Sequence, residues 1–251
     1  ARRAGVLLHP TCLPGSLGVL GAGARRFVDF LADSGITVWQ TLPIGPTHQD
    51  LSPYQSLSAH AGNQDFIDLA ELLQTGLLAD AELAQPIAES RQQLLAIAAQ
   101  RFYEGHATGR KGFDLAGFEA FRARNDYWLD DFCLFCAIRE VQESPGWLQW
   151  PEHLRDREPA ALQAFVDQNQ ARLARIRFEQ FLFNHQWQAL RDYARSRNVL
   201  LFGDIPIFVA QDSADVWANR QFFKLDARGE PTVVAGVPPD YFSEEGQHWG
   251  N

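Results

Sequence analysis

Methionine is absent from this 251-residue sequence, which opens on alanine and stops in mid-loop at Asn251, as an incomplete chain would. Cysteine is scarce: Cys12, Cys133 and Cys136 are too few for a disulfide framework. No apolar run approaches the ~20 residues that span a bilayer. No basic stretch followed by an apolar one opens the chain, so no signal peptide is expected and a cytoplasmic protein is. Positive charge is short as well. Lysine and arginine number 22 against 31 acidic residues, a net charge of −9 with a pI near 5.2. Nucleic acid and anionic membranes need a basic surface, so neither is an expected partner, and a heavily phosphorylated substrate is disfavoured for the same reason. A neutral polar substrate fits best.

What is present suits a large α/β fold, because 46% hydrophobic residues over this length can bury a substantial core. Gly5 to Leu8 reads as a short strand broken by His9-Pro10. A helical pattern from Ala24 to Ser34 is closed by Gly35, and I-T-V-W-Q-T-L then reads as a buried strand ended by Pro43. Strand, helix, strand at this spacing predicts a βαβ unit with a parallel sheet and a right-handed crossover. From Phe66 to about Arg197 helical patterns dominate. The last runs from Ala171 to Arg197 with Phe178, Phe181, Leu182, Trp187 and Leu190 on its apolar face. The helical middle reads as an insertion between strands of a barrel or open sheet, and the strand Val199–Ile205 restores the α/β rhythm.

Two short patterns are tested and set aside. Gly18-x-x-Gly21-x-Gly23 has the wrong order for a dinucleotide fingerprint. Cys133-Leu-Phe-Cys136 lies inside an apolar helical stretch rather than at a helix start, so it reads as two core cysteines one turn apart rather than as a redox pair. No second Cys/His pair stands at zinc spacing, and no metal or cofactor is expected.

In parallel α/β folds functional groups gather where strands end. Three ends are visible: His9-Pro10-Thr11, Leu42-Pro43-Ile44-Gly45-Pro46, and Asp204-Ile205-Pro206. Asp204 reads either as a carboxylate for sugar hydroxyls or as a turn aspartate capping nearby N–H groups. Ser52-Pro53-Tyr54-Gln55 is a rigid turn that holds Tyr54 outward, for a ligand or simply at the surface. Tyr241, Phe242, Gln247 and Trp249 put apolar rings beside hydrogen-bonding groups, which suits a sugar, although loop rings also pack locally. Asp212, Asp215, Asp240, Glu244 and Glu245 read as solvated loop carboxylates. Nothing marks two of them as the pair that a retaining glycosidase needs, and without G-x-S-x-G a serine nucleophile has no support.

L-L-H-P-T-C-L-P, V-W-Q-T-L-P-I-G-P-T, S-P-Y-Q-S-L-S-A-H-A-G-N, G-D-I-P-I-F-V-A-Q-D-S-A-D-V-W-A and V-V-A-G-V-P-P-D-Y-F-S-E-E-G-Q-H-W-G-N together resemble the bacterial amylomaltases, the 4-α-glucanotransferases. The resemblance implies a (β/α)8 TIM barrel with inserted subdomains, present here as its N-terminal part. On that basis 1–65 holds the first barrel strands and helix, 66–170 the helical insertion, and 171–251 the return to the barrel, with a glucan-binding loop at 236–251. It implies transfer of α-1,4-glucan segments between maltooligosaccharides through a covalent glycosyl intermediate, with a carboxylate nucleophile, an acid/base and no cofactor. Ser52, Tyr54 and Asp204 match glucan-contacting positions. Tyr241, Phe242, Gln247 and Trp249 match a loop that partly covers the active site. The family's R-I-D-H motif, which carries the nucleophile, is missing, so no catalytic residue is assigned and residues 1–251 alone are expected to be insoluble or inactive. An amylase-type hydrolase and a non-catalytic glucan-binding protein remain the alternatives.

Overall fold

Three parallel strands, β1 (Gly5–Leu7), β2 (Val38–Gln40) and β3 (Leu200–Phe202), form a sheet in the order β1-β2-β3. The register aligns Gly5, Val38 and Leu200, then Val6, Trp39 and Leu201, then Leu7, Gln40 and Phe202. This computed structural model describes residues 2–15, 18–83, 87–107, 113–143, 146–233, 235–241 and 243–248. The chain divides into two compact units. One comprises Ala1–Ile44, Gly62–Leu129 and Ala174–Asp204; the other comprises Gly45–Ala61, Asp130–Leu173 and Ile205–Asn251.

The first unit contains the expected βαβ unit. The helix α1 (Ala22–Asp33) joins β1 to β2 and buries Ala24, Val28 and Leu31, one residue per turn on a single face. Its Phe27 meets the fully buried Trp39 edge to face, with ring centroids 5.0 Å apart. Gly35 ends α1 at φ +71°, a conformation that glycine adopts without strain. Strand residues alternate between faces, so Val6, Trp39 and Leu201 share the covered side of the sheet. On the other side Leu7 is 56% exposed, Leu200 43% and Phe202 59%.

The regular strands are shorter than the sequence predicts, although ladder hydrogen bonds reach one residue beyond each end of β1 and β2. Thr37 N donates to Ala4 O, Leu200 N to Thr37 O, and Thr41 N to Phe202 O at 2.9–3.1 Å. On β3 the ladder bonds stop at Phe202, short of the expected Ile205.

Helices α2 (Ala70–Gln74), α3 (Ile87–Tyr103) and α4 (Leu115–Arg124) follow β2 in this unit, and most of α8 (Gln170–Ser196) belongs to it. Helix α2 stops earlier than A-E-L-L-Q-T-G-L-L suggests. The Thr75 hydroxyl donates to the Glu71 and Leu72 carbonyls, and Gly76 turns the chain at φ +75°. Phe102 of α3, Phe118 of α4, and Phe178 and Phe181 of α8 pack with Phe113 in one buried cluster. The Phe102 ring lies 5.1 Å from Phe178 and 5.6 Å from Phe181. Of the apolar face expected on α8, Phe178, Phe181, Leu182 and Leu190 are buried, whereas Trp187 is half-buried.

The second unit holds most of α5 (Leu129–Val141), together with α6 (Glu152–Arg155), α7 (Pro159–Gln168) and α9 (Ala214–Ala218). Its core centres on Phe135, Trp150 and Trp217, with centroids 5.2–5.9 Å apart. Cys133 is buried and Cys136 half-buried within α5, neither of them in a disulfide, as their apolar helical setting predicts. Strands β4 (Gly236–Val237) and β5 (Gln247–His248) pair antiparallel as a small hairpin. Among the described residues no helix is long and apolar enough to cross a membrane.

Candidate functional site

In the first unit the strand ends carry His9 after β1, Thr41 after β2, and Gly203-Asp204 after β3. Leu8 N donates to Gln40 O at 3.0 Å, so the parallel ladder reaches the residues just before these ends. Asp204 stands two residues beyond β3 and is half-buried. His9 packs edge-on to Phe66 at 5.6 Å. Burial of its imidazole pulls the pKa below the usual histidine range, favouring the neutral form.

In the second unit Ser52 and Tyr54 share one tight turn. Ser52 N donates to Asp50 Oδ1 at 3.1 Å, Gln55 N donates to Ser52 O at 3.1 Å, and Thr47 bridges Ser56 antiparallel. Asp50 makes this an Asx-type turn, with Leu51 in the left-handed region at φ +59°. Tyr54 is 44% exposed, as the proline-held turn predicts.

Tyr241 and Gln247 lie on the hairpin β4–β5. Gln247 is aligned with Val237 in the strand pair. The turn between the strands is held by Asp240 N donating to Ser243 O at 2.9 Å, Ser243 N to Asp240 Oδ1 at 2.8 Å, and Ser243 Oγ to Gly246 O at 2.7 Å. Tyr241 is 96% exposed. Phe242 and Trp249 lie outside the described residues.

Two carboxylates read as solvated are half-buried and bonded to distant segments. Asp212 Oδ2 accepts from Arg139 Nη1 of α5 and lies 3.7 Å from His48 Nδ1, while its Oδ1 accepts from Trp147 N at 3.1 Å. Asp215 Oδ2 accepts from Ala59 N at 2.9 Å, and its Oδ1 lies 3.5 Å from Ser58 Oγ and 3.9 Å from His60 Nε2. His48 titrates below the usual histidine range because it is buried, with Arg139 adding to the effect and Asp212 and Asp50 opposing it. The only sequence hint was Ser213, which caps α9 by accepting from Val216 N and so fixes where the flanking aspartates start. Their partners lie more than 60 residues away in sequence, where no local pattern reaches.

Residues 8–251 match the model of the family described as 4-alpha-glucanotransferase. The chain belongs to that family. It is 44% identical to the 4-alpha-glucanotransferase of Thermus thermophilus over 256 residues, covering all of this chain and 51% of that protein. It is likewise 44% identical to the 4-alpha-glucanotransferase of a Synechocystis strain, covering 52% of it. Among solved structures, amylomaltase from Streptococcus agalactiae in complex with acarbose resembles this fold with a TM-score of 0.89 at 33% identity. The likeness covers the whole of this chain and 52% of that one. The chain spans about half the length of the relatives it matches.

Proposed function

We propose that this chain is the N-terminal portion of an amylomaltase-type enzyme that transfers α-1,4-glucan segments between maltooligosaccharides by a retaining double displacement. One observation supports this above the others: its fold resembles an amylomaltase crystallised with acarbose, along the entire chain. The three parallel strands would open a (β/α)8 barrel over 1–65, with a helical insertion at 66–170 and a return to the barrel at 171–251. The exposure of Leu7, Leu200 and Phe202 on one sheet face favours this, since parallel sheets are ordinarily covered on both faces.

Under this proposal the residues of this chain bind rather than cut. Asp204 at the end of β3 accepts hydrogen bonds from sugar hydroxyls. Ser52 offers a hydroxyl, and Tyr54 offers a ring and a phenol. Tyr241 and Phe242 bring rings over the sugar, Trp249 adds a third, and Gln247 supplies an amide that both donates and accepts. A loop that covers the bound glucan excludes water, so an acceptor sugar resolves the glycosyl intermediate in preference to hydrolysis. The nucleophilic carboxylate and the acid/base belong to sequence beyond the region matched here. The enzyme needs no metal or organic cofactor, meets neither nucleic acid nor membrane, and works in the cytoplasm.

The test is incubation of the full-length enzyme with maltotriose. Disproportionation yields glucose and maltopentaose with no change in the number of reducing ends. A rise in reducing ends would instead identify an amylase-type hydrolase. Binding without turnover would identify a non-catalytic glucan-binding protein.

A further inference from the structure

The segment Gln211–Asp215 grips both legs of the loop that carries Ser52 and Tyr54. On the outgoing leg the Asp212 carboxylate lies 3.7 Å from His48 Nδ1, and the His48 backbone N donates to Gln55 O across the turn. On the return leg Asp215 accepts from Ala59 N at 2.9 Å and lies 3.5 Å from the Ser58 hydroxyl. Ala214 N donates to Leu57 O at 2.9 Å, and Ser58 Oγ accepts from His60 N at 3.1 Å. The grip is itself anchored. Asp212 is paired with Arg139 and bonded to Trp147 N, Trp147 Nε1 donates to Gln211 O at 2.7 Å, and Ser213 is fully buried.

At the base of the turn Leu57 N donates to Pro46 O at 2.8 Å and Thr47 bridges Ser56. Beyond that base, within 48–55, the described bonds are the His48–Gln55 contact at 3.4 Å, the Asx turn, and single bonds at Leu51 and Gln55. Leu51 at its tip is 75% exposed. Short turns of this kind sample several conformations unless their legs are fixed, and a ligand must then offset the cost of ordering them.

We infer that Asp212 and Asp215 are positioning residues, which hold the Ser52–Tyr54 turn in its glucan-receiving conformation from its two legs. The inference rests on the proposed role of Ser52 and Tyr54 in binding glucan. Neither aspartate needs to touch sugar. Asp215 acts by fixing backbone through the Ala59 N–H, and Asp212 by standing against the His48 side chain, 3.7 Å from its Nδ1.

Removing Asp215 therefore weakens substrate binding without changing the chemical step. In the full-length enzyme, Asp215→Ala is expected to raise KM for maltotriose roughly tenfold, the size of one lost charge-assisted hydrogen bond, with kcat within about twofold. Asp215→Asn keeps an oxygen that accepts from Ala59 N and is expected to recover most of the lost affinity. Amide hydrogen exchange at Leu51, Ser52 and Tyr54 should quicken about tenfold in Asp215→Ala and stay near the parent rate in Asp215→Asn. If Asp215→Ala does not fold, Asp215→Glu keeps the charge but displaces it by one methylene, and the same rise in KM at constant kcat is expected.

A loss confined to kcat would overturn the inference, as would an Asn variant no better than Ala or unchanged exchange at the turn. Tyr54→Ala separates the two levels. If it leaves KM unchanged, the glucan-binding role of the turn fails. If it raises KM while Asp215→Ala does not, that role stands and the positioning role fails.

Discussion

The side-chain amide of Gln180 takes the place of a neighbouring strand for Gly62. Its Oε1 accepts from Gly62 N and its Nε2 donates to Gly62 O, both at 2.9 Å, and both residues belong to the first unit. Six residues further along α8, Gln186 serves Asp68 in the same way at 2.7 and 2.9 Å. Both glutamines are buried, so truncation would leave a backbone N–H and C=O without water or partner. Gln180→Ala is expected to cost about 2–4 kcal/mol, measured as a lower urea midpoint. Gln180→Glu can accept from Gly62 N but repels its carbonyl when ionised. Protonation turns one oxygen into a donor, so its deficit should shrink from pH 7 to pH 5.

Gly246 and Gly35 have nearly the same φ and very different surroundings. Their φ values are +75° and +71°. A Cβ at Gly246 would lie 2.5 Å from Val237 O and 3.1 Å from Pro238 C, whereas a Cβ at Gly35 meets nothing within 4 Å. Gly35→Ala should therefore cost only about 1 kcal/mol of stability, through its strained φ. Gly246→Ala should distort the β4–β5 hairpin beneath Tyr241 and Gln247. The expected result is several-fold weaker binding of maltoheptaose to the full-length enzyme with little change in Tm. Equal affinities for the two variants would separate the hairpin from glucan binding.

Asp156 predicts how the second unit responds to acid. Arg155 grips its carboxylate with two bonds at 2.9 and 2.7 Å, and Arg220 adds a third at 3.0 Å. The hydrogen bond from Arg155 is the largest cause that lowers its pKa from 3.8 to about 2, and Arg220 reinforces it. A carboxyl depressed by folding adds stability that is complete above its unfolded pKa and is lost as pH falls through the folded one. The contribution should fade between about pH 4 and pH 2 and be absent in Asp156→Asn. Urea midpoints at pH 7, 4, 3 and 2 check this: the gap between parent and variant should close over that interval. Because Asp156 is partly solvated, the gap at pH 7 should be modest.

Much of this architecture was legible in the sequence because it is encoded locally. The spacing of Val28 and Leu31, the glycine at 35 and the β-branched run around Trp39 give β1–α1–β2. Apolar periodicity gives α5, α7 and α8 to within a few residues at each end. The turn at Ser52–Tyr54 and the strand exit at Asp204 were visible because proline and glycine mark where chains change direction. What escaped was long-range hydrogen bonding. Asp212 and Asp215 look like loop carboxylates until the fold brings Arg139, Trp147 and Ala59 to them. Gln180 and Gln186 look like the polar positions of a helix until Gly62 and Asp68 occupy the space beside them. A side chain that serves another segment's backbone leaves no periodic trace, so only the three-dimensional structure reveals it.

The sheet itself yields the last prediction. Leu7, Leu200 and Phe202 line one face of three parallel strands and are each about half exposed. Among the described residues β1 and β3 are the edges of this sheet, each paired with β2 alone. An open edge beside an uncovered apolar face is a template for association, because a second chain can add a strand and bury the rings at once. Residues 1–251 produced alone should therefore self-associate at micromolar concentration and enhance the fluorescence of an anilinonaphthalene dye. Phe202→Lys combined with Leu7→Lys puts like charges in one register row of that face, on the two edge strands either side of Gln40, and neither side chain is part of the buried core. The double variant should sediment closer to a monomer and bind less dye, while keeping the far-ultraviolet circular dichroism of the parent. In the full-length enzyme the proposed barrel would bury this face, so the same two lysines should there lower Tm sharply. If they leave the longer protein as stable as before, the face is not covered, and the barrel proposal fails with it.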